Sequence, residues 1–336
     1  MRQLLPRLLL VLGGTALGIV LLVLLLRSVR ADQLGSDLAR VDRTYLLIAI
    51  VPFLMNLLFK VPRWALLYGD HAPDYDSLFG ALNVGYAVNA LLPARLGEIV
   101  RAYWIRDRAG IPMVRTLSTI ALERVADGLT LVVMLVVAAP TVALPSTLIR
   151  PALSIGALFV IALIVMIALA FGATRENHPV WRLVRRLEAS RIHLAGQLLR
   201  QIISGVGALS SPKAGLLLLL YTVVIWGSNS VLVWLVVRAL HINVPLMAGV
   251  LLVAVLNLGM TVPSSPGYVG VFDYLMVLVL GLYGVAHTPA LAAALIFHAI
   301  AFGPVTIIGL IYIARFGAEA TLQIIRASAT RSDTPA

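Results

Sequence analysis

Long apolar runs without charge constrain this 336-residue chain more than any other feature. Residues 8–26, 152–172 and 214–237 contain no Asp, Glu, Lys or Arg, and each is close to the roughly 20 residues that a helix needs to cross a bilayer. Apolar residues make up 60% of the chain and charged residues 12%, whereas a soluble domain has about 45–50% and about 25%. We therefore predict an all-α, polytopic integral membrane helical bundle.

Two further spans are less regular. Residues 45–68 predict a helix in which Asn56 and Arg63 are polar exceptions, and we expect both to have helix-capping or interface-anchoring roles. The last span, residues 289–314, is expected to be broken at the Gly-Pro pair that ends in Pro304, because proline removes a helical hydrogen bond.

The net charge of +11 comes almost entirely from arginine. Residues 173–213 hold seven basic residues against two acidic ones, which is typical of a cytoplasmic segment. Within it, residues 178–206 predict an amphipathic helix on the inner leaflet. We expect cytoplasmic termini, with residues 1–316 in the membrane domain and residues 317–336 as a tail. An anionic leaflet explains the basic charge without a nucleic-acid partner.

Two short apolar runs each end in a Pro-x-x-x-Gly break. Residues 78–92 and 246–262 are shorter than a full span, and the breaks follow at residues 93–97 and 263–267. Irregular backbone at membrane depth is tolerated only where it lines protein or a wet cavity. We therefore predict two re-entrant segments, and the shared order of parts in the two halves predicts an inverted repeat. The two repeat units are residues 45–138 and 214–314.

The first break is surrounded by charge. Arg95 and Arg101 can each make two parallel bonds to a phosphate, and Glu98 would orient or gate them. The run at residues 114–138 also carries charge, which is expensive in lipid and marks a polar site that faces the protein interior. Within this run Arg124 is expected to pair with Asp127 three residues later, so a structural clamp on residues 95–115 and a substrate role both remain open.

The second break is almost free of charge. Gly267 and Gly270 permit close backbone approach, and a helix that begins there could present amides to an anion. Asp273 is expected to cap that helix, and His298 is expected to be a hydrogen-bonded packing residue rather than a proton relay. The complete set of candidate substrate-binding residues is Asn89, Arg95, Gly97, Glu98, Arg101, Glu123, Arg124, Asp127, Gly267, Gly270, Asp273 and His298.

Catalytic and metal-binding motifs are absent from the sequence. There is no cysteine, no His spacing typical of zinc sites and no phosphate-binding P-loop. Ser264 and Ser265 lack a G-x-S-x-G context for an intramembrane hydrolase. We therefore expect no enzymatic activity, no cofactor and no metal ion.

Three segments in this order resemble the lysylphosphatidylglycerol synthase transmembrane, or flippase-like, family. They are LLPARLGEIVRAYWIRDRAG, ALERVADGLTL and PSSPGYVGVFDYLM, and the resemblance covers residues 8–316. It implies an inner-membrane (plasma membrane) helical bundle associated with the flipping of anionic or aminoacylated phospholipids, or with polyprenyl-linked glycan pathways. Larger members carry a cytosolic aminoacyl-transferase domain, which we expect to be missing here.

The leading functional prediction is a lipid flippase or translocase for an anionic phospholipid or a lipid-linked intermediate. Its headgroup would enter a polar groove while its tails stay in the bilayer, and the groove would be lined by Arg95, Glu98, Arg101, Glu123, Arg124 and Asp127. Two alternatives remain open. The chain would be a non-transporting membrane partner that recruits a glycosyltransferase or a lipid synthase, or a secondary transporter of a soluble anion.

Overall fold

The computed structural model describes residues 16, 19–25, 27, 31–92, 96–142, 146–173, 179–189, 193–207, 211–261 and 265–332. In this part of the chain the regular structure is helical and contains no strand, so the predicted all-α class is confirmed. Its α-helices are α1 (Ala31–Ala39), α2 (Arg43–Leu66), α3 (Tyr75–Leu91), α4 (Gly97–Ala109), α5 (Met113–Ala138), α6 (Ser146–Ala173), α7 (Pro179–Glu188), α8 (His193–Val206), α9 (Pro212–Ala239), α10 (Leu246–Gly259), α11 (Val271–Leu282) and α12 (His287–Ser332).

Three described helices are long and apolar enough to cross a membrane: Arg43–Leu66, Pro212–Ala239 and His287–Arg315. They correspond to three of the predicted spans, whereas most of the predicted span at residues 8–26 lies outside the described residues. The expected break in the last span is wrong, because α12 continues through Pro304. A single proline is tolerated in a membrane helix when neighbouring groups satisfy the freed carbonyl.

Helices α3 and α4 form an antiparallel pair, here called the first hairpin. Gly97 at the start of α4 donates its backbone N–H to Asn89 Oδ1 at 2.7 Å. A Cβ atom on Gly97 would lie 2.2 Å from the carbonyl oxygen of Gly85, so only glycine permits this backbone contact. Further along the pair, Gly85 lies against the side chain of Arg101. The chain therefore reverses direction between Leu92 and Leu96, and residues 93–95 lie outside the described part.

Helices α10 and α11 pack against each other and form the second hairpin. Between them, Gly267 adopts φ of +65° and approaches the carbonyl oxygen of Ala90 in the first hairpin, where an added Cβ would lie at 3.3 Å. Gly270, with φ of +86°, precedes α11 and donates its N–H to Asp273 Oδ2 at 3.0 Å. Asp273 therefore caps α11 as expected. The two hairpins meet at their breaks, and their re-entry into the membrane stays a prediction.

The predicted amphipathic helix at residues 178–206 is two helices rather than one. Helix α8 folds back on α7, and the Arg200 guanidinium donates to both carboxylate oxygens of Glu188 at 2.9 and 2.7 Å. These hydrogen bonds lower the pKa of Glu188. Val184 and Ile203 are buried while Arg182 is exposed, so the amphipathic pattern is retained in folded-back form. Helix α12 extends as far as Ser332 and so into the predicted tail, whose cytoplasmic position stays a prediction.

A buried ion-pair network joins α2, α4 and α5. Arg63 donates to Glu123 Oε1 at 2.6 Å and to Asp127 Oδ1 at 2.5 Å, and Arg101 donates to Glu123 Oε2 at 3.0 Å. Side-chain exposure is 2% for Arg63 and 1% for Glu123. Two arginines and two carboxylates give the network no net charge, which limits the cost of burying them.

Two expectations about these residues are wrong. Arg63 has no capping or interface-anchoring role, because it is buried and bridges both carboxylates of the network. Asp127 pairs with Arg63 and not with Arg124, and it also accepts the indole N–H of Trp226 at 2.9 Å. The spacing of residues within α5 does not predict the partner of Asp127, because that partner, Arg63, lies on α2.

Replacing Glu123 by Gln is expected to destabilise the fold strongly. The change leaves Arg63 and Arg101 with one carboxylate, Asp127, and so leaves an uncompensated positive charge in the core. Breaking a buried pair in this way costs about 3–5 kcal/mol. Unfolding of the purified protein in detergent, by heat or by sodium dodecyl sulfate, measures the loss. Glu188→Gln is the matched control, since it breaks an exposed pair of the same chemistry. Equal destabilisation by the two substitutions would contradict the structural role of the network.

The predicted inverted repeat can be tested by sidedness. The chain has no cysteine, so single-cysteine variants need no prior substitution. Asp70 lies in the exposed connection before the first hairpin, and Asn243 lies in the exposed connection before the second. We expect Asp70→Cys to react with an impermeant maleimide only from the cytoplasmic side and Asn243→Cys only from the opposite side. Reaction of both from one side would rule out the inverted arrangement.

Candidate functional site

A cavity of about 190 Å³ lies beside the place where the two hairpins meet. Its walls come from both halves of the chain, so neither half forms it alone. The polar lining residues are Asn56, Lys60, Tyr86, Asn89, Glu98, Arg124, Asn229 and Asn257. The remaining, mainly apolar lining residues are Phe53, Leu57, Leu232, Leu256, Met260, Tyr268, Phe272, Phe297, Ala301, Phe302 and Val305.

Of the residues that the structure describes, three charged side chains reach the cavity. Arg124 is exposed there, and no carboxylate of the described residues lies within 4 Å of its guanidinium. Lys60 places its ammonium 4.8 Å from the centre of the Tyr86 ring. Glu98 lies in the first turn of α4, and its Oε2 is buried without a hydrogen-bond partner among the described residues. Two positive charges and one negative charge give the lining an excess of one positive charge.

Asparagine side chains complete the polar side of the cavity. Asn56 donates its amide to the carbonyl oxygen of Ile225 at 2.9 Å, which ties α2 to α9. Asn89 accepts the Gly97 N–H, and Asn257 donates to the carbonyl oxygen of Val253 at 2.9 Å. Each of these amides is therefore fixed at one end by a backbone group, which orients it before any ligand arrives.

Aromatic rings form an apolar wall of the cavity. The Phe272 ring lies 5.6 Å from the rings of Phe297 and Phe302, and Tyr268 lies 5.8 Å from Phe302. Behind this wall the His298 ring lies 4.8 Å from both Phe272 and Phe302. A site lined by both charged groups and aromatic rings suits a ligand that is itself amphipathic.

The structure separates the predicted site residues into three groups. Asn89, Glu98 and Arg124 line the cavity. Arg101, Glu123 and Asp127 instead belong to the buried ion-pair network and do not line the cavity, so their binding of a substrate stays a prediction. The other predicted residues shape or support the hairpin breaks: Gly97, Gly267, Gly270, Asp273 and His298. Arg95 lies outside the described residues.

Sequence reasoning missed Lys60 as a lining residue. Lys60 is one of two lysines in the chain and stands inside a predicted span, which by itself marks a polar site, because charge is rare in lipid-facing segments. Asn56 was assigned to capping or anchoring and lines the cavity instead. Asn229 on α9 and Asn257 on α10 each stand in an apolar run, and a single amide in such a run is a weak indication of a binding site. In the part of the chain that the structure describes, no group of three or more acidic or His side chains could hold a metal ion.

Comparisons with known proteins match most of the chain. It is 26% identical over 331 residues to Glycosyltransferase AglD of Haloferax volcanii, an alignment that covers 89% of this chain and 53% of that protein. The chain therefore spans about half the length of this relative. UPF0104 membrane proteins are also similar. The one from Methanothermobacter thermautotrophicus is 26% identical, and the alignment covers 92% of this chain and 96% of that protein. The one from Methanocaldococcus jannaschii is 23% identical, and the alignment covers 67% of this chain and 92% of that protein.

No solved structure matches the chain. The family model described as the lysylphosphatidylglycerol synthase TM region matches residues 11–309, which include both hairpins, the ion-pair network and every residue that lines the cavity. The chain is a membrane protein that belongs to the lysylphosphatidylglycerol synthase transmembrane family.

Proposed function

We propose that the chain moves the headgroup of an anionic phospholipid or lipid-linked intermediate across the membrane while the tails stay in the bilayer. The observation that carries the proposal is the cavity between the two halves, where Arg124 and Lys60, which pair with no described carboxylate, line the same space as the aromatic wall. An anionic headgroup would supply the missing partner for the positive charges. Its attached apolar part would lie against the rings.

The lining residues would have distinct tasks. The planar guanidinium of Arg124 can make two parallel bonds to a phosphate, whereas Lys60 acts as a point charge. Glu98 lies among the same groups and would attract them when no ligand is bound. A headgroup would then have to displace Glu98 from the positive groups in order to bind. Glu98 could later return to those groups, which would allow the headgroup to be released. Substrate sites at the interface of two repeat units are typical of transporters with broken helices.

This function requires binding and movement and no covalent reaction, so we propose no catalytic residue. We further propose that the chain lies in the inner membrane with both termini on the cytoplasmic side. The exposed arginines of α7, among them Arg182 and Arg185, would then lie at the anionic inner leaflet.

A second candidate function is favoured by the relative named as a glycosyltransferase. Because about half of that protein lies outside the similarity, the shared half could serve as a membrane partner for a glycosyltransferase or lipid synthase. In this chain the exposed arginines of α7 would recruit the enzyme. A third candidate is transport of a soluble anion by the same positive charges, without a lipid.

Arg124→Gln and Lys60→Gln are expected to slow lipid movement at least tenfold each. A hydrogen bond to a charged group contributes about 1.5–3 kcal/mol, and about 1.4 kcal/mol corresponds to tenfold. The full chain would be reconstituted in vesicles that contain fluorescent phosphatidylglycerol, and the fraction reached by an impermeant quencher would be followed over time. Arg106→Gln is the control, because Arg106 is exposed on α4 and does not line the cavity.

Three results would separate the candidates. Lipid movement that both cavity variants leave unchanged would refute the proposed site. A stoichiometric glycosyltransferase or synthase that copurifies, with no lipid movement in vesicles, would favour the recruiting role. Uptake of radiolabelled phosphate into vesicles, independent of their lipid composition, would favour a soluble anion.

A further inference from the structure

Behind the aromatic wall lies a buried acid that faces a histidine. Asp273 has a side-chain exposure of 2%, and its Oδ1 lies 3.3 Å from His298 Nδ1. Its other oxygen accepts the Gly270 N–H at the start of α11. His298 keeps 17% of its side chain exposed. The carboxylate is thus fixed by the backbone, while the histidine beside it is only partly buried.

The pair is close to the cavity and to the contact between the hairpins. Phe272 and Phe302, which line the cavity, both contact the His298 ring and also contact each other. Gly270 follows the turn in which Gly267 approaches Ala90 of the first hairpin. The pair therefore connects α12 to the tip of the second hairpin, one ring away from the space that a ligand would fill.

The neighbouring elements provide no second carboxylate at hydrogen-bond distance from His298 in the described chain. Two charged groups on these elements have other partners. Asp76 accepts a hydrogen bond from the Tyr312 hydroxyl, and Arg238 donates one to the side chain of Asn243. The titratable groups on the elements packed against α12 or lining the cavity are Asp32 and Asp37 of α1, Tyr75, Asp76 and Tyr86 of α3, Lys213, Tyr221 and Arg238 of α9, Tyr268, Asp273 and Tyr274 near α11, and Lys60, Glu98 and Arg124 in the cavity.

We propose that His298 and Asp273 form a proton-binding site whose occupancy favours binding of an anion in the cavity. The inference rests on the proposed function and adds the coupling ion to it. A proton from solvent binds the imidazole of His298, and the resulting imidazolium pairs with the Asp273 carboxylate. The pair changes from one negative charge to none, and no bond other than that to the proton is made or broken.

Charge counting explains the coupling. Among the described residues, the charged side chains that line the cavity, Lys60, Arg124 and Glu98, sum to one positive charge, and the pair with neutral His298 adds one negative charge. The region is then neutral, so an added monoanion would leave one uncompensated negative charge. With the proton bound, the region carries one positive charge, and a monoanion restores neutrality. Because uncompensated charge in low dielectric is costly, the proton and the anion should bind cooperatively.

Proton uptake on lipid binding tests this coupling directly. The purified full chain in weakly buffered detergent would be titrated with dihexanoylphosphatidylglycerol, whose phosphodiester stays ionised, while a dye reports pH. We expect uptake of up to one proton for each lipid bound and affinity that weakens by at most about tenfold per pH unit as pH rises, the limit for one linked proton. His298→Gln should bind lipid without proton uptake and with affinity independent of pH.

His287→Gln is the matched control, because His287 is exposed at the start of α12 and far along the helix from His298. It should retain the uptake of the unsubstituted chain. If His298→Gln does not fold, the pH dependence of affinity in the unsubstituted chain still tests the proposal. Lipid binding with no proton uptake, or the same uptake in His298→Gln, would overturn the coupling and leave the proposed function standing. Absence of lipid binding at every pH would instead overturn the proposed function and the coupling with it.

Discussion

The pairing of Arg63 with Glu123 and Asp127 is the interaction on which the rest of the structure depends. Four charged side chains lie in a mostly apolar bundle, and each would be expensive there alone. Together they are neutral, and satisfying them fixes where α2, α4 and α5 lie relative to one another. Trp226 adds α9 through its bond to Asp127. The network thus sets the frame to which the first hairpin is attached.

The positively charged residues that line the cavity, Arg124 and Lys60, are ones that this buried network does not pair. Arg124 is next to Glu123 in sequence but points to the cavity, and Lys60 is three residues before Arg63 on α2. The same two helices therefore carry the network on one side and the cavity charges on another. The buried ion-pair network is neutral, whereas the described cavity lining is positively charged. A substitution in the cavity therefore changes the attraction for an anionic ligand without unpairing the buried ions.

The sequence was sufficient for the helical class, three of the spans and the positions of both breaks, because apolar length and Pro-Gly spacing are local signals. It was not sufficient for the partner of Asp127. Arg63 is 64 residues away from Asp127, and the choice between Arg63 and Arg124 depends on how α2 packs on α5. The fold-back of α8 onto α7 depends in the same way on a tertiary bond, that of Arg200 to Glu188. Helices α2 and α12 pass through prolines because packing supports them, which no local rule reveals.

The two hairpins are held in different ways, and this difference bears on movement. The first is tied to its neighbours by Arg101 in the ion-pair network, and its own two helices are held together by the backbone contact of Gly97 with Gly85. The second is packed mainly through apolar side chains, with Asp273 and His298 as its polar tie to α12. Apolar contacts are non-directional, so they can be exchanged with little loss, whereas unpairing a buried ion costs several kcal/mol, about 3–5 in measured cases. Relative movement of the hairpins is therefore expected to be less costly at the second one, whose polar tie to α12 is the pair proposed to gain or lose a proton.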